Sequence, residues 1–248
     1  MRCRRAFGCG SRKYASRGAP GVINFNCSSE PVLIASGKTT LAGVLELPPN
    51  PSGMVVFPQN NGARRLWPRN NYLANELRRA GLATLLLDLI GMDEDTGEKH
   101  RSDIALLGTR LAAATDWLAA EPETKKLALG LFGSGSDAAA ALQLAASRPE
   151  RIAAVVVRSG RPDLAGADAL ARVRAPTLLI VGEEDCSVIG FNRRALDQLS
   201  CEKDLALIRG GTYPGEGQHT LHEIARLAAR WFKGYFGGDV RPTFAPLS

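Results

Sequence analysis

Short apolar segments alternate with segments of helical periodicity along most of this chain. Residues 82–87 are the clearest case, because every residue except Thr84 is apolar, which is typical of a strand buried on both faces. Gly81 precedes this segment and ends a predicted helix over residues 70–79. Repeated alternation of this kind predicts an α/β protein with a mostly parallel sheet and helices on both faces.

The pattern predicts eight strands, of which the first two form an antiparallel hairpin. The strands are expected at residues 32–35, 40–47, 54–57, 82–87, 127–132, 153–157, 177–181 and 205–208. The helices are expected at residues 70–79, 103–118, 138–146, 191–199 and 221–235, the second of them capped by Ser102. Only about 19 residues separate the sixth and seventh strands, so no cap domain is expected.

The positive charge of the chain is confined to its N-terminal segment. The formal net charge is +6, but residues 1–29 carry six basic residues and no Asp or Glu, which leaves 25 bases against 25 acids. We therefore expect no nucleic-acid binding by the folded body. The predicted organisation is a disordered basic tail over residues 1–29, one α/β domain over residues 30–236 and a frayed tail over residues 237–248. Two interpretations of the basic tail stay open, a targeting segment and a start placed too far upstream.

Hydropathy and cysteine usage argue against several classes of protein. No run of about 18 apolar residues is present, so no transmembrane helix is expected. The five cysteines are odd in number, three lie in the tail and none forms a Cys-x-x-Cys pair. This usage argues against a disulfide framework and a zinc site. We expect a cytoplasmic protein without a metal or a cofactor.

Distinctive motifs lie where the predicted strands end. Residues 131–133 read Leu-Phe-Gly and lead into Ala-Ala-Ala-Ala-Leu at 138–142, residues 160–165 read Gly-Arg-Pro-Asp-Leu-Ala, and residues 175–182 read Ala-Pro-Thr-Leu-Leu-Ile-Val-Gly. In these motifs the chain resembles the cap-less, dienelactone hydrolase-like α/β hydrolases over roughly residues 31–236. The resemblance implies an α/β-hydrolase fold whose site lies at the carboxyl ends of the strands.

The resemblance also implies a Ser–His–Asp triad, and this sequence departs from that pattern. The family's Gly-x-Ser-x-Gly elbow reads Gly-Ser-Gly-Ser-Asp over residues 133–137, which puts Gly135 at the nucleophile position. Tyr213 stands at the His position, and a phenol with a pKa of about 10 is a poor base at neutral pH. The oxyanion loop, usually His-Gly, reads Pro-Gln-Asn-Asn-Gly over residues 58–62. Only the acid remains, as Asp185.

Together these departures favour a non-catalytic member of the family, a pseudoenzyme that binds a protein partner or a small molecule. Asp137 at the end of the elbow supports this interpretation, because a carboxylate would repel a developing oxyanion. The hydroxyl of Tyr213 is expected to point toward Asp185. The candidate ligand-binding residues are Gln59, Asn60, Ser134 and Arg161. The identity of the ligand and the oligomeric state, including a homo-oligomer, stay open.

An active hydrolase of small esters or lactones is the alternative hypothesis. Ser136 would be its nucleophile, His219 its base and Asp185 its acid. Against it, the strand over residues 127–132 sets a register in which Ser136 turns away from the crevice and caps the following helix. His219 lies six residues beyond Tyr213 and is favoured as a surface residue.

Two weaker hypotheses complete the sequence analysis. The backbone N–H groups of residues 133–136 would suit an anion at a helix N-terminus, helped by nearby arginines. These arginines are Arg64, Arg65, Arg69 and Arg161. The acidic segment 93–98 with His100 would suit a metal, although its spacing fits no standard loop and a solvated surface is favoured.

Overall fold

The strands form one continuous eight-stranded sheet. The computed structural model describes residues 27–60, 68–91, 94, 102–210 and 217–237. The strands are β1 (Ser28–Ser36), β2 (Thr39–Leu47), β3 (Met54–Gln59), β4 (Ala83–Asp88), β5 (Leu129–Ser134), β6 (Ile152–Arg158), β7 (Thr177–Gly182) and β8 (Lys203–Ile208). Their order in space is β1-β2-β4-β3-β5-β6-β7-β8. The pairs β1–β2 and β2–β4 are antiparallel and the other pairs are parallel, which confirms the predicted fold class.

Helices cover the sheet on both faces. They are α1 (Pro68–Arg79), α2 (Ile104–Ala120), α3 (Asp137–Ser147), α4 (Ala167–Arg172), α5 (Cys186–Gln198) and α6 (Gln218–Phe236), with a 3₁₀ turn at Pro162–Ala165. One face packs against α1 and α6, and the other packs against α2 to α5. Only the 3₁₀ turn and α4 join β6 to β7, so the connection holds no cap domain.

Successive side chains of the central strands point to opposite faces of the sheet and pack against the helices on both faces. In β6, Val155 and Val157 pack toward α3, whereas Val156 packs toward α6. Successive side chains of a strand point to opposite faces, so a strand covered on both faces must be apolar throughout. Residues 138–141 of α3 are alanines with no exposed surface, and their small side chains bring this helix close to the sheet.

Several boundaries differ from the sequence predictions. Asp103, not Ser102, caps α2, and its carboxylate accepts a hydrogen bond from Leu106 N at 3.0 Å. Strand β1 begins at Ser28, inside the predicted tail, because residues 28 and 29 pair with the end of β2. The 3₁₀ turn and α4 were not predicted, because segments of four and six residues are too short to show helical periodicity.

None of the helices within the described residues combines the length and apolar character needed to cross a bilayer.

The close approach of α3 to β5 yields the first testable prediction. A Cβ on Gly133 would lie 2.6 Å from Ala138 Cα and 2.9 Å from Ala138 N, both of them backbone atoms. Because the helix must shift to accept it, we expect Gly133→Ala to lower the free energy of unfolding by about 1–3 kcal/mol. Urea denaturation measures the change.

Gly190→Ala is the matched control. Gly190 lies within α5, where an added Cβ would approach nothing more closely than the Arg194 guanidinium at 3.8 Å. Ala is favoured over Gly in a helix by about 1 kcal/mol, so this variant should be at least as stable as the parent. Equal stability of the Gly133→Ala variant and the parent would contradict the packing described here.

Candidate functional site

Gly135 forms the turn between β5 and α3 with a left-handed backbone. Its φ is +56°, a conformation that L-residues with side chains rarely adopt. A Cβ built at this residue would meet no atom within 4 Å. A sharp strand-to-helix turn of this kind is the backbone of a nucleophile elbow. The position that the sequence aligns with the nucleophile therefore has the geometry of an elbow and no side chain.

The loop after β6 is fastened to this turn. Arg161 N donates to Gly135 O at 2.8 Å. An added Cβ on Gly160 would lie 2.7 Å from the Ala138 side chain, so a glycine is needed for the loop to approach α3. Ser159 has a positive φ of 42°, which is uncommon outside glycine. Backbone strain of this kind concentrates at functional sites.

Ser136 adopts a different role from the predicted side-chain cap. It is the N-cap residue of α3, but its φ and ψ of −73° and −21° are helical and its side chain makes no capping hydrogen bond. A side-chain cap normally needs extended backbone at this position, which explains the difference. Its Oγ instead accepts a hydrogen bond from Asn60 Nδ2 at 2.5 Å. This contact joins the elbow to the end of β3.

Buried amides line the end of β3. Gln59 and Asn60 are almost completely buried, and Asn70 Nδ2 donates to Gln59 Oε1 at 2.8 Å. Ser134, at the end of β5, is also buried. Three of the predicted ligand-binding residues thus lie on neighbouring strand ends. Asn70 was missed as a site residue, although it follows Pro68 in the first turn of α1 and lies within hydrogen-bonding distance of the site.

Four charged side chains are buried among the described residues: Asp88, Arg110, Asp137 and Arg158. Asp88 and Arg158 are the last residues of β4 and β6, and each of the two interacts with other groups of the protein. Neither was singled out from the sequence. The available signal was a charged residue directly after a run of apolar strand residues.

The acidic segment contributes an ion pair to this edge of the sheet. The Arg110 guanidinium pairs with Glu94 and donates to Leu89 O at 2.7 Å. The other oxygen of Glu94 accepts from Gly91 N at 3.0 Å. No cluster of three or more His, Cys, Asp or Glu residues suited to a metal is found among the residues that the structure describes, and His100 lies outside them.

Asp185 serves as the N-cap of α5. Its Oδ1 accepts a hydrogen bond from Val188 N at 3.1 Å, which explains why the helix begins five residues before its predicted start at 191. Tyr213 lies outside the described residues, as do Arg64 and Arg65, so its expected contact with Asp185 stays a prediction.

His219 lies in the first turn of α6 and is exposed. It lies near Glu223, whose pKa is lowered chiefly by its hydrogen bonds to Arg226. The structure therefore places His219 on the exposed surface of α6.

Arg161 belongs to a compact group of side chains. Its Nε and Nη2 donate to the two carboxylate oxygens of Asp163 at 2.9 and 2.8 Å. Its guanidinium carbon lies 4.0 Å from the ring centroid of Phe191. These contacts hold the guanidinium against Asp163 and Phe191, while the backbone N of Arg161 is bonded to the elbow.

Comparisons with known proteins agree with this fold. The chain aligns with the crystal structure of dienelactone hydrolase from Anabaena variabilis at 45% identity and a TM-score of 0.80, covering 84% of this chain and 98% of that one. A dienelactone hydrolase-like promiscuous phosphotriesterase from metagenomic libraries is similar in fold alone, at 20% identity and a TM-score of 0.69, over 85% of this chain and 99% of that one. The fold is thus that of the α/β hydrolases. The chain belongs to the dienelactone hydrolase family.

Two longer proteins also match. Both come from Mycobacterium tuberculosis, both are provisionally named phosphoribosyl transferases, and both are 43% identical over 209 residues, or 84% of this chain. The match covers 47% of each, so the chain spans about half the length of these curated relatives. No family model matches the chain.

The left-handed backbone at Gly135 gives the second prediction. We expect Gly135→Ala to fold and to lose about 1–2 kcal/mol of stability, the cost of a left-handed backbone for an L-residue. Gly37→Ala is the matched control, because Gly37 has a φ of +62° and also has no atom within 4 Å of an added Cβ. Urea denaturation should give similar losses. A loss at Gly135 several times larger would contradict the open space described here.

The pair of Arg161 and Asp163 gives a pH-dependent prediction. Hydrogen bonding to Arg161 lowers the pKa of Asp163. Such a carboxyl adds stability above its unfolded pKa of about 3.9 and loses that contribution as the pH falls through the folded value. Because the pair is partly exposed, Asp163→Asn should cost about 1 kcal/mol or less at pH 7. The deficit should shrink below about pH 4. A deficit that stays constant down to pH 3 in urea titrations would contradict it.

Proposed function

We propose that this chain is a binding protein built on the dienelactone hydrolase fold, without hydrolase activity of its own. The proposal is carried by one observation, that a glycine, Gly135, stands at the nucleophile position. The family's reaction begins when a side-chain oxygen or sulfur at the elbow attacks the substrate, and Gly135 offers neither. The backbone of Gly135 has a φ of +56°, so the turn of the elbow is present but position 135 has no nucleophilic side chain.

The neighbouring groups support the same proposal. A serine nucleophile attacks with an oxygen lone pair, and Ser136 Oγ already accepts a hydrogen bond from Asn60 Nδ2 at 2.5 Å. The carboxylate of Asp185 is used to cap α5. Asp137, the first residue of α3, is buried close to the elbow, where a carboxylate would oppose a developing oxyanion.

The proposed ligand is a small polar molecule or a polar group of a protein partner. It would meet the residues that surround the elbow, namely Gln59, Asn60, Ser134 and Arg161. The proposal includes a cytoplasmic location, which the free thiols of the described cysteines support, because a reducing compartment keeps thiols unpaired.

An active serine hydrolase is the second candidate. The 45% identity to a protein described as a dienelactone hydrolase favours it. Ser136, His219 and Asp185 would carry the reaction on a small ester or lactone. This route requires Ser136 to leave Asn60, Asp185 to leave its helix cap and the exposed His219 to move to the elbow.

The name of the mycobacterial relatives calls for a separate proposal. The alignment of this chain with the Anabaena hydrolase covers 98% of that protein. The alignment of this chain with each mycobacterial protein covers 47% of the mycobacterial protein. A complete hydrolase-like unit thus fits within the matched part. We propose that the transferase activity implied by their name resides outside that part, and that this chain does not catalyse phosphoribosyl transfer.

The decisive experiment combines a fluorophosphonate probe with p-nitrophenyl acetate turnover. We expect no labelling of the parent protein and no turnover above that of the Ser136→Ala variant, because position 135 lacks a nucleophile. Saturable turnover, with labelling at Ser136 that Ser136→Ala abolishes, would establish the hydrolase and refute the proposal.

A gain-of-function series provides the positive control. Gly135→Ser restores a hydroxyl at the elbow, and adding Tyr213→His restores a base. We expect the double variant to be labelled weakly at residue 135, because Asp137 still opposes an oxyanion. Tyr213→His alone should stay unlabelled.

A further inference from the structure

Four side chains beside the elbow form what we call the arginine cluster: Arg161, Asp163, Phe191 and Arg194. Arg161 and Asp163 follow β6, whereas Phe191 and Arg194 lie on α5. The guanidinium carbons of Arg161 and Arg194 lie 4.0 and 5.1 Å from the Phe191 ring centroid. Both guanidinium groups thus contact the aromatic ring of Phe191.

The backbone on both sides of this cluster is fixed from within the protein. Arg161 N is bonded to Gly135 O at 2.8 Å. Asn192, which follows Phe191 and is completely buried, donates from Nδ2 to Gly160 O at 3.1 Å and to Val188 O at 2.8 Å. The loop after β6 and the second turn of α5 therefore hold each other in place.

The Arg161 guanidinium keeps donors available for a ligand. Asp163 takes its Nε and Nη2, and among the described residues no acceptor is bonded to Nη1. The side chain is 40% exposed, so a dissolved molecule can reach it. Arg194 is exposed as well. One carboxylate faces two guanidinium groups, which leaves the cluster with one net positive charge.

We propose that the arginine cluster binds the oxyanion, a carboxylate or a phosphate, of a small molecule whose remaining part lies against the elbow at Gly135. Guanidinium groups pair with such anions through parallel N–H donors, and an aromatic ring and a carboxylate that fix the guanidinium reduce the entropy lost on binding. A Cβ at Gly135 would meet no atom within 4 Å, so the turn that bonds to Arg161 N has open space next to it. The inference deepens the proposed binding function and rests on it.

Titration calorimetry of the full chain with inorganic phosphate and, separately, with acetate tests the inference. We expect saturable binding of at least one anion. Arg161→Lys keeps the positive charge but loses the parallel N–H donors of the guanidinium, so it should weaken anion binding at least tenfold. Arg194→Ala should weaken it several-fold, and because Arg194 is exposed this variant should melt like the parent.

Arg148→Lys is the matched control. Arg148 also forms a partly exposed pair with an aspartate, Asp116, but lies at the far end of α3. Its replacement should leave the affinity within twofold. Phosphate binding identifies a phosphorylated ligand and acetate binding a carboxylic acid. Absence of saturable binding of either anion overturns the inference, as does an equal loss in the Arg148→Lys variant.

The two proposals can fail separately. Ester turnover that depends on Ser136 would refute the non-catalytic function even if anion binding at Arg161 persists. An unlabelled, inactive protein that binds neither anion would refute the arginine cluster alone. Thermal melting of each variant separates a binding defect from unfolding, and the exposed Arg194 decides the question if Arg161→Lys is unstable.

Discussion

The contact of α3 with β5 and the loop after β6 fixes the elbow at the carboxyl edge of the sheet. Gly133 and Gly160 both lie against Ala138, at distances that a side chain on either glycine would not permit. Because the helix begins so close to the strand, the chain must reverse within two residues, and Gly135 takes the left-handed backbone. The same turn presents Gly135 O to Arg161 N at 2.8 Å. Packing therefore sets the geometry of the elbow.

This dependence separates the shape of the elbow from its chemistry. The buried alanines at residues 138–141 require the tight turn whether or not a nucleophile stands at residue 135. A family member that loses its nucleophile keeps the elbow, because opening the turn would also remove the helix from the core. The fold is therefore weak evidence of catalysis in this chain, and the side chains at the site have to carry the functional argument.

The sequence predicted the layers of the fold better than the contacts of the site. The strands were recognisable because residues such as 82–87 and 153–157 are apolar on both faces, and the alanine-rich α3 was recognisable from its composition. The bond between Asn60 and Ser136 joins residues 76 positions apart, and no local pattern encodes it. The roles of Asp103 and Asp185 as helix caps depend on side-chain orientation within one turn, which periodicity does not specify.

The buried charges of the described residues lie together at one edge of the sheet. A charge taken out of water costs several kcal/mol unless it is well paired, so a core that serves only for folding avoids it. Among the described residues, Asp88 and Arg158 end β4 and β6, which are separated by β3 and β5, Asp137 is the first residue of α3, and Arg110 bonds to Leu89 O just beyond β4. All four buried charges therefore lie at the carboxyl edge, where α/β sheets place their ligands. A scaffold that had lost every role at this edge would gain stability by replacing such groups with apolar ones. Their presence along one edge of the sheet supports the proposal that this edge recognises a polar molecule.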